Sequence, residues 1–476
     1  MDPLTWNLFR RCRPLSGLSD LAMREMFAAA EERAYQPEAL MMRQGDPADG
    51  LLILLEGTAH AQLQDQSGGH LLGRFRGGDI VGEMALVTRE ARTADVIADS
   101  PVRALLVPTA SFDALAVRHL ELGLVLTKLV ADRLGRSFHD GFGDKRIEGF
   151  RILQSIGRGG MSVVYQAEEV ATGDIVALKM MSYRLIYDAA ALARFHQESA
   201  LHQSLDHENI AKLKRLFPAY RTYFLVMELC DGMDLRRMVK LRGRLPEPQV
   251  RAILGQLACA LEYVHGRGLV HRDLKPANVM VDTHGQVKLL DFGIAKWLDD
   301  LEADSPLTLT AHRVLTPAHA APEQFQGGPI TAATDVYQLG LLLYTVLTGT
   351  RAHAVDGAST DAVRHAVCDV DPELPSRAVL APGSASAEHR TTARHLAGDL
   401  DAIVMKALRK DPRDRYATVE ALRRDLDHHL ADRPVSAHDG TRLYAVRKYV
   451  RRHPVPVAAA GGVLLASALG LVVVAW

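Results

Sequence analysis

Residues 269–293, LVHRDLKPANVMVDTHGQVKLLDFG, decide how the rest of the chain is read. The stretch opens with His271, Arg272, Asp273, Leu274, Lys275, Pro276, Ala277 and Asn278, and closes with Asp291, Phe292 and Gly293. Between them, residues 279–282 and 286–290 alternate apolar and polar side chains like two short strands, and His284-Gly285 supplies a hairpin turn. Folded that way, the hairpin holds Asp273, Asn278 and Asp291 on one edge.

Both motifs, in this order and at this spacing, resemble the catalytic core of protein kinases. The roles that the resemblance implies are electrostatic. A transferring phosphoryl group needs a carboxylate to take the hydroxyl proton, here Asp273, and oxygen ligands for Mg²⁺, here Asn278 and Asp291. Lys275 meets the γ-phosphate of ATP and matches the serine/threonine branch.

Upstream, an alternating strand over 150–156 runs into Gly157-Arg158-Gly159-Gly160-Met161-Ser162-Val163-Val164-Tyr165. This is similar to the kinase glycine-rich loop, where absent side chains let backbone amides approach the ATP phosphates. The resemblance puts Ile156, Gly157, Gly159, Gly160, Val164 and Ala177 around ATP, with Val164 capping the adenine. Val176-Ala177-Leu178-Lys179 supplies the strand lysine for the α- and β-phosphates, and Glu198, on a helix over 190–204, is its expected partner. Residues 226–230 read as the interlobe hinge, with Met227 as gatekeeper and backbone groups of Glu228 and Cys230 facing adenine.

Downstream, residues 316–323, TPAHAAPE, look like the substrate-docking loop ending in APE, with Leu315 for the family's glycine and His319 for its tyrosine. Asp335 resembles the helix aspartate that braces the catalytic turn, and Arg415 is expected to pair with Glu323. Thr308 and Thr310 are candidate phosphorylation positions, since Arg272 offers a guanidinium to clamp a phosphate. The likeness runs through 148–427 and points to the bacterial serine/threonine branch.

The first third reads differently. A helical lead-in over 18–32 gives way to β-like pieces at 39–43, 50–55, 59–63, 71–74, 93–97 and 102–107, many short strands that imply a barrel. Within them falls VGEMALVTREARTA, residues 81–94, which looks like the phosphate-binding cassette of cyclic nucleotide-binding domains. Gly45, Gly57 and Gly78 agree with that family. A cyclic phosphate keeps one negative charge, best held by a guanidinium and by backbone N–H groups at a helix start. Arg92 supplies the first, the turn from Gly82 the second, and Glu83 accepts from the ribose 2′-hydroxyl. Thr93 fits cyclic AMP or cyclic GMP. The alternative is an unliganded barrel in which Glu83 and Arg92 pair with each other. Ala91 stands where the family often has proline. Apolar spacing over 111–137 resembles the family's lid and hinge helices, and Arg13-Pro14-Leu15-Ser16 reads either as an inhibitory segment or as the domain's first turn.

Lys plus Arg (56) and Asp plus Glu (57) nearly cancel, giving a net charge of −1, so no global field steers the chain to nucleic acid. Cys12, Cys230, Cys259 and Cys368 lack the spacing of a metal site and fit a reducing compartment. The amino terminus has no apolar stretch of the secretion-signal kind. Residues 455–476 carry no charge over 22 positions. At ~1.5 Å per residue they reach about 33 Å, against a ~30 Å hydrocarbon core. Arg447, Lys448, Arg451 and Arg452 precede them, so the positive-inside rule keeps the rest cytoplasmic, at the inner membrane of a bacterium. Gly462, Ala466 and Gly470 form a small-residue stripe that permits a homodimer.

The expected organisation is therefore multidomain: a helix-flanked β-roll or barrel of the cyclic nucleotide-binding kind over 1–138, a linker over 139–147, a bilobal α+β kinase fold over 148–432, a basic juxtamembrane segment over 433–454 and a transmembrane helix over 455–476. The expected function is ATP- and Mg²⁺-dependent phosphorylation of serine and threonine hydroxyls in protein substrates, regulated by a cyclic nucleotide. A non-catalytic scaffold is disfavoured because Lys179, Glu198, Asp273, Asn278 and Asp291 are all present. A cyclic-nucleotide-responsive transcription factor is disfavoured because no helix-turn-helix follows residue 137.

Overall fold

The run GLLILL, which by periodicity alone could be strand or helix, is an antiparallel strand, Gly50–Glu56, buried at every position from Gly50 to Leu55. Its alternation explains the burial: Leu51, Ile53 and Leu55 enter one apolar core, Leu52 and Leu54 another. The computed structural model describes residues 3–65, 68–89, 91–119, 121–136, 146–158, 162–183, 189–291, 319–353, 355, 359–380, 386–438 and 442–453. Gly159, Gly160, Phe292, Gly293, Thr308, Thr310, residues 315–318, residues 139–145 and the apolar run 455–476 lie outside the described residues. The chain divides into two units, Met1–Ser204 with Lys212–Leu229, and Leu205–Ala211 with Cys230–Trp476.

The first unit contains a β-roll of two four-stranded antiparallel sheets. One has the order Glu31–Tyr35, Val102–Pro108, Gly50–Glu56, Ile80–Val81; the other Leu40–Met42, Asp95–Ala98, Thr58–Asp65, Gly68–Arg76. The helical lead-in is Asp20–Ala29, capped where the Ser19 hydroxyl accepts from the Ala22 amide at 3.2 Å. An earlier helix, Pro3–Arg10, was not foreseen, and it buries Phe9 completely. Arg13–Leu15 forms a 3₁₀ turn with Leu15 buried, the first turn of the domain.

The single helical stretch expected over 111–137 is two helices, Thr109–Arg118 and Glu121–Arg136. The break falls at His119, which leaves helical backbone angles and places Nε2 3.0 Å from Glu25. The connecting helix Glu121–Arg136 buries Leu122, Val125, Leu126, Val130 and Ala131, a stripe at helical spacing. That stripe belongs to the same apolar core as Phe150, Ile152, Val163, Tyr165 and Tyr183.

Those five residues lie on or beside the first unit's other sheet. It has six antiparallel strands in the order Leu213–Ala219, Thr222–Glu228, Ile175–Met181, Ser162–Glu169, Phe150–Arg158, Arg146–Ile147. The junction also has polar ties. The buried Thr127 hydroxyl accepts from the Tyr183 amide at 3.0 Å and donates to the Gly123 carbonyl at 2.7 Å. The Tyr165 hydroxyl donates to the Ala131 carbonyl at 3.3 Å. Packing therefore runs from roll to sheet without a gap in the core.

The second unit is mainly helical. Ala332–Thr348 is buried continuously from Thr334 to Thr348, as its sequence TDVYQLGLLLYTVLT demands. A Cβ on Gly340 would stand 2.9 Å from that of Ala407, so glycine lets two helices touch. A small sheet of Met233–Asp234, Val279–Val281 and Val287–Leu289 contains the foreseen hairpin. Its turn closes where Asp282 Oδ1 accepts from the amides of His284 and Gln286, both at 2.8 Å, with Gly285 at φ +82. Among the described residues, no helix is long and apolar enough to cross a membrane.

Candidate active site

The catalytic turn is built on a buried carboxylate. Asp335, fully buried near the start of Ala332–Thr348, accepts from the amides of His271 and Arg272, each at 2.8 Å, and lies 2.7 Å from His265 Nε2. These bonds hold Arg272 at φ +68, a conformation that costs a non-glycine residue of order 1 kcal/mol or more. One helical turn on, Gln338 Oε1 accepts from the Leu274 amide at 2.8 Å, and its Nε2 donates to the Arg272 carbonyl at 2.9 Å. The foreseen bracing aspartate thus works with a glutamine that was missed. The signal was there, because three residues apart on a helix is one face.

Above this floor, Asp273, Lys275 and Asn278 come together. Lys275 Nζ donates to Asp273 Oδ2 at 2.7 Å, and Asn278 Nδ2 donates to the same oxygen at 3.0 Å and to the Asp273 carbonyl at 2.9 Å. His271 is fully buried, and burial holds its pKa below the ordinary imidazole value. Its Nε2 meets the Leu290 carbonyl at 3.0 Å, so the proton sits there and Nδ1 accepts from the Asp273 amide at 3.3 Å. Asp291 follows directly, at φ +46, and the Leu290 amide donates to the Asn278 carbonyl at 2.8 Å. Asn278 commits its nitrogen to Asp273, which leaves Oδ1 as a ligand. With the Asp291 carboxylate this donor set suits a hard divalent cation such as Mg²⁺.

Glu323 and Arg415 pair as expected, both buried, through Nη1–Oε1 and Nη2–Oε2 contacts of 2.8 Å. Burial pushes the Glu323 carboxyl up, but the bonds from Arg415 and from Thr334 outweigh it and hold the pKa below the ordinary value. His319 is described; the rest of the docking loop before it is not.

The first unit carries the other nucleotide-binding candidates. Lys179 lies mid-strand in Ile175–Met181, between Val164 on one side and Leu225 on the other. Ala177 pairs with Met227, and Glu198 is on the helix Ala189–Gln203. Ile156 falls where Phe150–Arg158 bulges, with Gly157 opposite Val164. Glu228 ends its strand by bonding the Lys212 carbonyl through its amide at 2.9 Å, and Cys230 opens the second unit.

In the roll, the cassette helix Glu83–Thr88 follows Gly82 at φ +93. Arg92 is 4% exposed, with its guanidinium turned inward. It donates to Asp49 Oδ1 and the Gly50 carbonyl, both at 2.5 Å, and to the Gly82 carbonyl at 3.1 Å. A Cβ on Gly82 would stand 2.5 Å from Arg92 Nη1, so only glycine admits the guanidinium. Glu83 is also buried; Thr93 is exposed. The expected alternative partner of Arg92 was Glu83, and the structure gives Asp49 instead, which no spacing rule marked. The glycine at 45 now has a purpose: its amide donates to the Arg92 carbonyl at 2.8 Å while the Arg92 amide donates to the Asp46 carbonyl at 2.7 Å. A buried guanidinium beside a left-handed glycine and a helix start suits a singly charged cyclic phosphate.

Comparison with known proteins agrees with both halves. The family described as cyclic nucleotide-binding domain matches residues 32–119, and the family described as protein kinase domain matches residues 150–426. The chain is 34% identical over 283 residues to serine/threonine-protein kinase PknB of Mycobacterium tuberculosis, covering 58% of this chain and 42% of the relative. It is 35% identical over 291 residues to serine/threonine-protein kinase Pkn1 of Myxococcus xanthus, covering 60% and 39%. The chain thus spans about two fifths of the length of these relatives. The crystal structure of the Mycobacterium tuberculosis PknI kinase domain aligns with a TM-score of 0.46 at 23% identity, over 60% of this chain and 98% of that one. With the kinase family matched over residues 150–426, more than half of its 476 residues, the chain belongs to the protein kinase family.

Proposed function

We propose that the chain is a serine/threonine protein kinase that moves the γ-phosphate of ATP to hydroxyls of protein substrates, under the control of a cyclic nucleotide held in the β-roll. The observation that carries this reading is the Asp273 carboxylate, with Lys275 and Asn278 within 3.0 Å and the turn beneath it pinned by Asp335. Asp273 takes the proton from the attacking hydroxyl. Lys275, already at that carboxylate, offers a positive charge to the transferring phosphoryl group. Mg²⁺ on Asn278 and Asp291 supplies neutralisation of the phosphate charge. Asp273→Asn and Asp291→Asn should each abolish transfer from labelled ATP without changing the melting temperature. Full turnover in both variants would leave only a non-catalytic reading.

Regulation is supported by a chain of contacts within the first unit. Arg89, directly after the cassette helix, ion-pairs with Asp113, and Asp113 accepts from Arg221 Nη1 at 3.3 Å in the turn between Leu213–Ala219 and Thr222–Glu228. A nucleotide that repositions the cassette helix therefore acts on the six-stranded sheet directly. The bound ligand must favour one kinase state, and a coupling of ~1–3 kcal/mol gives a roughly 5- to 150-fold change in activity. Assays with cyclic AMP, cyclic GMP and neither, on the native chain and on Arg92→Ala, test this. Arg92→Ala should lower nucleotide affinity by roughly thirtyfold to several thousandfold, for a lost charge contact of ~2–5 kcal/mol. Tight binding with unchanged phosphorylation would refute the regulatory reading.

The same proposal includes anchoring by residues 455–476, supported by their lack of charge and the cations before them. It places the kinase part on the cytoplasmic side. Recovery of the full chain from membranes by salt alone, without detergent, would refute it.

A further inference from the structure

Beyond the catalytic part, the chain does not trail away as a loose basic linker. Residues 432–438 are strapped to the second unit: Asp425 accepts from the Ser436 amide at 2.8 Å, the Ser436 hydroxyl at 2.9 Å and the Ala437 amide at 2.9 Å. The tail helix Arg442–Arg452 then docks through a carboxylate. Asp399 accepts from the Tyr444 hydroxyl at 2.9 Å, ion-pairs with Lys448, and has His429 Nδ1 at 3.0 Å. Asp399 and Lys448 are each 7% exposed. Burial pushes the Asp399 carboxyl up, but His429, Lys448 and Tyr444 together outweigh it and hold its pKa far below the usual range. Lys448, counted from sequence as one of the membrane-flanking cations, is spent on this clamp.

Tyr444 and Lys448, four residues apart, define the docked face. At 100° per residue, Leu443, Val446, Tyr449 and Val450 fall on the opposite face, centred on Val446. They are 82%, 57%, 54% and 41% exposed. Arg447 and Arg452, both exposed, lie at the two margins of this apolar strip, and 442–453 contains no acidic residue. An apolar strip edged by guanidiniums on both sides fits the boundary between acyl chains and anionic headgroups, where the apolar side chains enter and the long cations reach back to phosphate.

We infer that the exposed face of Arg442–Arg452 lies on an anionic phospholipid surface, and that the Asp399 clamp thereby fixes one face of the second unit against the bilayer. The choice of occupant draws on charge complementarity and, in part, on the membrane reading of 455–476, which follows the helix directly. Each cation near an anionic surface is worth about a fivefold change in partition.

The test uses the chain ending at His453, which keeps every residue the structure describes, the cores of both units included. It should sediment with mixed phosphatidylglycerol–phosphatidylcholine vesicles, release with salt, and stay in solution with pure phosphatidylcholine. Arg447→Glu with Arg452→Glu should cut partition by at least roughly 25-fold, and Val446→Ser with Val450→Ser should weaken it, with melting temperatures unchanged because all four side chains are exposed. Equal binding to neutral vesicles, no binding to either, or a concentration-dependent dimer abolished by the same variants would overturn the inference. Detergent extraction of the full chain reports on 455–476 separately. Failure of that span with retained vesicle binding by the shorter chain leaves this inference standing, and the reverse result removes it alone.

Discussion

Replacing Thr127 by valine tests whether the β-roll and the six-stranded sheet form one cooperative unit. The side chain keeps its volume and loses the oxygen that accepts from the Tyr183 amide at 3.0 Å and donates to the Gly123 carbonyl at 2.7 Å. Both bonds are buried, and depriving a buried amide of its acceptor costs about 1–3 kcal/mol. For a unit of 150–250 residues, each kcal/mol lowers the melting temperature by about 2–4 °C, so a drop of roughly 2–12 °C is expected. If roll and sheet unfold together, two probes must move together. Trp6, whose ring lies 5.0 Å from Phe27, reports on the roll by fluorescence, and protection of the amides of Ile175–Met181 by hydrogen exchange reports on the sheet. Thr127→Ser restores the hydroxyl and should recover most of the loss. A shift in the sheet with the Trp6 transition unmoved would refute the single unit, as would a native protein that already melts in two well-separated steps.

Other outcomes follow from the same geometry. Asp113→Asn keeps hydrogen-bonding atoms but removes the charge between Arg89 and Arg221. It should leave cyclic nucleotide affinity within about twofold while the activity ratio with and without nucleotide falls toward one, measured by calorimetry beside phosphorylation rates. Asp335→Asn should lower kcat by at least about tenfold, since it weakens the acceptor holding the strained Arg272; a kcat equal to the native value would show that the turn holds itself. His353 has its pKa pushed down to about 4, by burial first and then by Lys410. A neutral buried histidine takes up its proton only on unfolding, so its stabilisation is complete above the ordinary value near 6.5 and is lost as pH falls from there through the folded value. The loss is about 3 kcal/mol between pH 6.5 and 4, and His271, also kept neutral by burial, adds to it. In urea titrations across that range, His353→Gln should flatten the slope by about 1.4 kcal/mol per pH unit, and an unchanged slope would rule the residue out.

What could be read in advance depended on how far apart in sequence the partners stand. The hairpin holding Asn278 and Asp291 was legible because its turn is local: Asp282, His284 and Gly285 close it among themselves. The Glu323–Arg415 pair was legible only through the family resemblance, since 92 residues separate them. Asp49 was invisible, because nothing in the local pattern says that the loop before Gly50–Glu56 will meet Arg92. Thr127 was hidden by a different effect. Within an apolar stripe, one hydroxyl reads as a neutral interruption, and only the neighbouring Tyr183 amide makes it a structural bond. The break at His119 was missed for the same reason, since apolar spacing continues across it while the backbone does not.

The shared core also sets a timetable for synthesis. The stripe of Leu122, Val125, Leu126 and Val130 leaves the ribosome with the roll, but Phe224 and Val226, which belong to the same core, come roughly 100 residues later. At ~5–20 residues per second, the nascent roll waits about 5–20 s with that stripe uncovered. During that interval it is a target for chaperones that hold exposed apolar helices. Slowing translation between residues 136 and 222, by rare codons, should raise aggregation of the newborn chain more than the same delay placed after residue 229.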